Sequence, residues 1–413
     1  PGGLRWVWGK PVRAAARRRA GGGTGWMAYY LETIDKRIYS DISTMHSCSL
    51  MAAALISGSA IVIVHSLSAA GGSCRSVHRG EIYRRLPMRR RTVLGLGGGV
   101  LLAGGAACGD VEGGRPDRSA TATIVLGFSQ VGSESGWRLA NTKSIKDSAE
   151  LSNVELHFDD GQGKQENQIK AIRSFIAEKV DVIAFSPVIE SGWDQVLTEA
   201  KRAGIPVVLT DRLIDSPDTT LYRSSVGADF IAEGNQAGLF LLKEYEGDGR
   251  AINVVELAGT PNSAPTKQRT QGFLEVIGQQ PKFRMLGSVS GQWTRVGGAK
   301  AMRTLLSRHE RIDVVFAQND DMGLGALGVL ERAGLEPGKD VKLITVDATR
   351  AGLTALAAGK LNFVVECSPV IGKMLMKVVV DIYLGGTVRK RVLSEKVGFD
   401  QATAKIVLPD RVY

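Results

Sequence analysis

The sequence predicts an α/β protein of two similar doubly wound parallel-sheet lobes joined by a hinge. Three observations predict it. From Thr123 onward, short β-branched runs alternate with helical stretches, and continuous apolar runs of this kind suit parallel strands buried on both faces. After Val226 the same alternation starts again, so the chain holds two copies of one pattern. Near the end, FVVECSP (363–369) and the apolar stretch Val370 to Leu384 come after the second copy, and here the chain is expected to cross back to the first. Lobes joined by several short crossings are built to close around a ligand.

The N-terminal part differs from the rest in charge. The first 107 residues hold 15 Lys/Arg and 4 Asp/Glu, and the rest of the chain 37 and 38, so the net charge of +10 belongs to the leader. A nearly neutral remainder would release few counterions from a nucleic acid, which argues against DNA binding. Met88 to Asp110 reads MRRRTVLGLGGGVLLAGGAACGD: an arginine cluster, a short apolar run and small residues before a cysteine, the pattern of a cleavable export signal. Arg90-Arg91 resembles a twin-arginine signal and Gly105 to Cys108 a lipoprotein processing site, which makes Cys108 the expected lipidated residue. The GLGGG run follows no strand and is no dinucleotide fingerprint. Residues 1–87 are expected to be a disordered or non-native leader with Met88 the true start, 88–108 the signal and 109–121 a polar tether.

The expected strands of the first lobe are TIVLGFS (123–129), VELHFDD (154–160), VDVIAFSPV (180–188) and PVVLTDR (206–212). Helices are expected from near Gly136, Gln165 and Gly192; in the second, Ile169, Ile172, Phe175 and Ile176 recur at helical spacing as one core-facing stripe. The second lobe repeats this with AINVVELAG (251–259), RMLGSVSG (284–291), DVVFAQND (313–320) and KLITVDAT (342–349), and helices from about 230, 264, 294 and 321. Residues 122–227 with 367–393 are expected in the first lobe, and 228–366 with 394–413 in the second.

The most telling loop is GFSQVGSESGWR (127–138), where an apolar strand breaks into Gly and Ser and ends in Trp-Arg at a helix start. An acid, an aromatic ring and a guanidinium at the C-terminal end of a strand suit a small polar ligand at a sheet edge. Position alone leaves other readings open. Arg138 could be a surface residue and Trp137 a packing residue, Asp211-Arg212 an exposed turn pair, and Asn319, Asp320, Asp321 and Asp347 helix caps. Asp229 is a cap or a hinge neighbour. Cys367 reads as a small buried residue on a strand. No spacing of Cys and His suits a metal, and no cofactor is expected.

GFSQVGSESGWR, DGQGKQENQIKAIRSFIA (160–177) and QNDDMGLGAL (318–327) resemble segments of the periplasmic sugar-binding proteins of the ribose and galactose class, nearest the galactofuranose-binding branch. The resemblance covers residues 123 to about 410. It implies a type I periplasmic binding protein fold and a monosaccharide captured for an ABC importer. It places ligand contacts at Glu134, Arg138, Asp211, Arg212, Arg269, Asn319 and Asp347, with Trp293 where the ribose binders have an aromatic ring and Glu366 where they carry an amide; Trp137 is expected, from its own position, to pack with Trp293 against the sugar's C–H faces. Asp320 and Asp321 keep the capping role. Phe stands in the galactofuranose type where this chain has Trp293, and GTPNSAPTKQR (259–269) departs from the family around Arg269.

Such residue types suit a sugar, because each hydroxyl stripped of water needs a replacement hydrogen bond. Charged partners supply the strongest ones. Arg138, Arg212 and Arg269 stand against Glu134, Asp211 and Asp347, three of each sign, which would leave a balanced pocket around a neutral ligand. The expected protein is therefore an exported, monomeric receptor, periplasmic or at the cell surface, that partners a membrane permease and is not an enzyme. Three other readings remain: a sensor presenting sugar to a membrane receptor, a sugar-responsive repressor core, which would need a helix-turn-helix ahead of it, and a glycosidase using Glu134 and Asp211.

Overall fold

The computed structural model describes residues 122–413, with the backbone of one antiparallel strand pair, Ala54–Ser57 and Ala60–Ile63. The expected export signal, the tether and Cys108 lie outside the described residues.

The first sheet contains β1 (Ile124–Gln130), β2 (Val154–Asp160), β3 (Val182–Phe185), β4 (Val207–Thr210) and β5 (Ser224–Gly227). Their helices are α1 (Gly136–Leu151), α2 (Gln165–Glu178) and α3 (Asp194–Arg202). The second set holds α4 (Phe230–Glu244), β6 (Ile252–Ala258), α5 (Ala264–Ile277), β7 (Phe283–Ser290), α6 (Arg295–Arg308), β8 (Val314–Ala317), α7 (Asp320–Arg332), β9 (Lys342–Asp347), α8 (Arg350–Ala357) and β10 (Phe363–Glu366). Last come α9 (Gly372–Tyr383), β11 (Arg391–Leu393), β12 (Gly398–Phe399) and α10 (Gln401–Val407).

The two sheets repeat one topology. Their orders are β2-β1-β3-β4-β5-β11 and β7-β6-β8-β9-β10-β12, parallel throughout except that β12 runs antiparallel to β10. Central strands such as Val207–Thr210 and Val314–Ala317 are buried at every position, as strands covered on both faces must be. Each sheet has one apolar cluster per face: α1 and α9 cover one side of the first and α2 and α3 the other. In the second lobe, α4 and α5 cover one face while α6, α7 and α8 cover the other.

The chain passes between the sheets three times, after Gly227, after Glu366 and after Leu393. Trp137 of α1 packs into the second-lobe cluster beside Phe230 and Cys367. Further contacts link the lobes: Glu190 pairs with Lys267 and its N–H donates to the Asn262 carbonyl (3.0 Å), and the Gly136 N–H donates to Asp321 Oδ2 (3.0 Å). Among the described residues no helix is long and apolar enough to cross a membrane.

Two differences from the sequence-based expectation concern short elements. The strands β5 (SSVG), β11 (RVL) and β12 (GF) lie outside the expected ones, since none contains an apolar run long enough to signal a strand. The apolar helix expected from Val370 begins at Gly372, because Pro369 and a bend precede it.

A cleft lined by paired charges

In both sheets the strand order reverses between the first and third strands, and ligands of open α/β sheets bind beyond the C-terminal ends of the strands at such points. The loops leaving these ends face one another across the cleft. They border a narrow gap of about 310 Å³, counted with the open solvent at its mouth. Its wall comprises Glu134, Ser135, Trp137, Arg138, Asp211 and Arg212 from the first lobe, Pro265, Arg269, Trp293, Asn319 and Asp347 from the second, and Cys367 at a crossing.

On the first-lobe side everything centres on Arg138. Ser135 caps α1 by accepting the Arg138 N–H (3.1 Å), and this puts the guanidinium at the root of the loop. That guanidinium donates to Asp211 Oδ2 (2.8 Å), to Glu134 Oε1 (3.2 Å) and to Gln130 Oε1 (3.2 Å). Burial alone would push its pKa down, but Asp211 and Glu134 outweigh it and hold the group charged. Burial likewise pushes Glu134 up, and Arg138 and Arg212 more than reverse that, leaving its carboxyl below the usual value.

Strand β4 ends at Thr210 and Asp211 takes a left-handed φ of +59°. Without that turn, adjacent side chains would point to opposite faces; with it, both Asp211 and Arg212 reach the cleft. Arg212 donates to the Val188 carbonyl (3.1 Å), but its Nε has no partner and Glu134 and Asp211 stand off at 3.9 and 3.7 Å. Burial, and then the like charge of Arg138, lower its pKa to about 10.

On the second-lobe side, Arg269 donates to Glu233 Oε2 (2.8 Å) and the Gln318 carbonyl (2.7 Å), and its guanidinium lies 5.7 Å from the Trp293 ring centre. Glu233 is fully buried. Against burial, which would lower it, this acid keeps Arg269 strongly protonated. The expected three-against-three balance therefore gains a fourth acid, and the partner of Arg269 is Glu233 rather than Asp347. Asp347 has φ +120°, an unusual backbone for a residue with a side chain. Its carboxyl accepts no hydrogen bond among the described residues; burial and then the nearby Asp320 carboxyl raise its pKa well above the ordinary value.

Two glutamines hold the loops in place. Gln168 of α2 spans the carbonyls of Gln130 (3.2 Å) and Ser186 (2.8 Å) and accepts the Val188 N–H (3.0 Å). In the second lobe Gln318 accepts the Gly259 N–H (3.0 Å) and donates to Glu256 (2.8 Å). The Trp293 ring packs against Gly259, where a Cβ would come within 1.9 Å of it.

Nine of the expected contact residues thus surround one cavity. Glu366 does not. Its carboxylate accepts from Arg411 (2.5 Å) and the Tyr413 hydroxyl (2.7 Å) on the C-terminal segment, because the alternating strand β10 turns it away from the cleft. The assignment of caps changes too. Asn319 itself caps α7, accepting the Met322 N–H (2.9 Å) while donating to the Trp293 carbonyl (3.0 Å). Asp320 accepts from Thr345 (2.5 Å) and from Thr349 N–H and hydroxyl (2.7 and 2.8 Å), and Thr349, not Asp347, caps α8. Asp229 caps α4. Cys367 lies just past its strand, on the cavity wall.

Sequence reasoning missed Glu233. It reads as a first-turn acid of α4, but the neighbouring Gly234 held a clue: a Cβ there would lie 2.2 Å from the Arg269 carbonyl oxygen, so α4 and α5 touch backbone to backbone at this level. Gly272 makes the reciprocal approach.

Residues 126–387 match the model of the periplasmic binding protein domain. The galactofuranose-binding protein YtfQ of Escherichia coli is 45% identical over 251 residues, 60% of this chain and 78% of its own length. A crystal structure from Mycobacterium smegmatis in complex with β-D-fucofuranose shares 51% identity at a TM-score of 0.69, covering 70% of this chain and 95% of that one. The binding component of the arabinose ABC transporter of Shewanella sp. ANA-3, bound to α- and β-L-arabinofuranose, shares 39% identity at a TM-score of 0.67, over 70% and 96% of the two chains. With its two-lobed fold and its charged cleft, this chain belongs to the periplasmic binding protein family.

Proposed function

We propose that this protein is the substrate-binding component of an ABC sugar importer and closes its two lobes over one monosaccharide, in the furanose form of a galactose-like sugar. The observation that carries this reading is the set of buried polar atoms on residues of the cleft wall that lack protein partners: Glu134 Oε2, Arg212 Nε and Trp293 Nε1. Buried polar groups are nearly always paired, and unpaired ones at a cavity call for a ligand. A sugar ring answers them with hydroxyls that both donate and accept, while Trp137 and Trp293 offer flat apolar faces to its C–H surface. Relatives whose names and structures carry galactofuranose, fucofuranose and arabinofuranose support the furanose form. Both lobes supply contacts, so a ligand favours the closed state by its differential affinity.

Binding rather than glycoside cleavage fits the charges. Glu134 and Asp211 share the guanidinium of Arg138, and Glu134 has a lowered pKa, the opposite of what a general acid requires. We further read the protein as exported and tethered through Cys108, in keeping with the signal-like sequence before it, and as partnered by a membrane permease. A thermal-shift screen against pentoses, hexoses and inositols tests the ligand class: a cognate sugar at about a hundred times its Kd adds about 2.7 kcal/mol of stability. If no monosaccharide raises the melting temperature, the reading fails.

A further inference from the structure

The closed cavity is not the end of the cleft. Outside it the cleft widens into a second, open space of about 850 Å³ counted with the solvent at its mouth, also between the lobes, and the two share Glu134, Arg212 and Trp293 as a common partition. We infer that this outer chamber is a second carbohydrate subsite, so that the protein accepts a glycoside or disaccharide whose inner ring occupies the closed cavity. The inference rests on the monosaccharide reading and extends it to a wider substrate class.

The lips of the chamber are equivalent parts of the two lobes. Strand β2 leads into Gly161-Gln162 and strand β7 into Gly291-Gln292, and both glutamines adopt a left-handed φ of +53°. The turns carry their amides to opposite rims of the same space. Gln292 is held there by Thr260 Oγ1 (3.3 Å) and Ser290 Oγ (3.1 Å), which orients its amide before any ligand arrives. Asp160, Gln162 and Thr260 make the remaining wall polar, and Gly163 leaves open space where a side chain would stand. Polar, exposed walls of amide, hydroxyl and carboxylate are the chemistry of a hydroxyl-rich ligand.

The partition supports continuity. The Arg212 side chain is buried, yet its Nε lacks a partner, as does Glu134 Oε2. Both atoms belong to residues that border the two chambers, so a sugar hydroxyl at this point would accept from the guanidinium and donate to the carboxylate.

Titration calorimetry with D-galactose, methyl β-D-galactofuranoside and a galactofuranosyl disaccharide tests this. The disaccharide is expected to bind within about tenfold of the free sugar, and the double variant Gln162→Ala, Gln292→Ala to weaken the disaccharide about three- to tenfold, the worth of one or two exposed hydrogen bonds, while leaving D-galactose within about twofold. If D-galactose binds and neither glycoside does, the outer subsite is overturned and the monosaccharide reading stands. Equal weakening of all ligands by the double variant overturns it as well. If none of the three binds, the galactose-like reading falls and the subsite falls with it.

Discussion

The three buried arginines of the cleft look alike in sequence and do different things. Arg269 is bonded to the fully buried Glu233, so Arg269→Ala leaves an unpaired charge in the second lobe; a loss of about 3–5 kcal/mol in unfolding free energy is expected along with lost binding. The Arg212 guanidinium makes one bond to a carbonyl and keeps Nε free. Arg212→Ala should therefore cost about 2–4 kcal/mol of sugar affinity by calorimetry, while the denaturation midpoint moves far less. Asp347 carries a prediction of opposite sign. Its pKa is raised by burial and by Asp320, so between its ordinary and its raised value the folded protein holds a proton that the unfolded chain has released, and stability falls as pH rises through that window. Asp347→Asn should melt higher than the wild type at pH 8, with the gap closing toward pH 4, and should bind sugar less well. A wild-type advantage that grows with pH would contradict the assignment.

At the scale of elements, the sequence made the strands and helices plain because each central strand is an unbroken apolar run with a turn at its end. Legibility fell where meaning depended on distance. Asp211 and Arg212 could both face the cleft only through a left-handed turn, and nothing in TDR announces one. Glu366 lies one residue from Cys367, and which of the two turns inward depended on where strand β10 stops. Glu233 became part of the site only because Gly234 lets α4 lie against α5. The glycine under Trp293 gives a direct test. Gly259→Ala would drive a methyl into the indole, and the ring must move; sugar affinity is expected to fall about tenfold or more while far-ultraviolet circular dichroism stays unchanged. The Lys267–Glu190 pair spans the lobes without lining the inner cavity. Lys267→Ala should weaken every ligand by the same factor, about two- to threefold, and the effect should shrink in high salt.

For the molecule as a whole, three short crossings join two lobes whose sheets share one strand order. An architecture of this kind moves by rotation about its connections while each core stays packed. Addition of a binding sugar should therefore reduce the radius of gyration in small-angle scattering while leaving secondary structure unaltered; an unchanged scattering curve at saturating ligand would argue against closure. The net charge is uneven along the chain: residues 1–107 hold 15 Lys/Arg against 4 Asp/Glu, while the rest, 37 against 38, is close to neutral, as suits the capture of an uncharged ligand.

The Trp137 indole N–H bonds to the Cys367 carbonyl at a crossing, and its ring packs into the second lobe although α1 belongs to the first. Trp293 lines the cavity from the other side, and Trp193 is sealed in the first-lobe core. The protein thus carries two emitters at the moving boundary and one shielded reference among its described residues, so its native ultraviolet fluorescence can serve as a label-free optical gauge of occupancy.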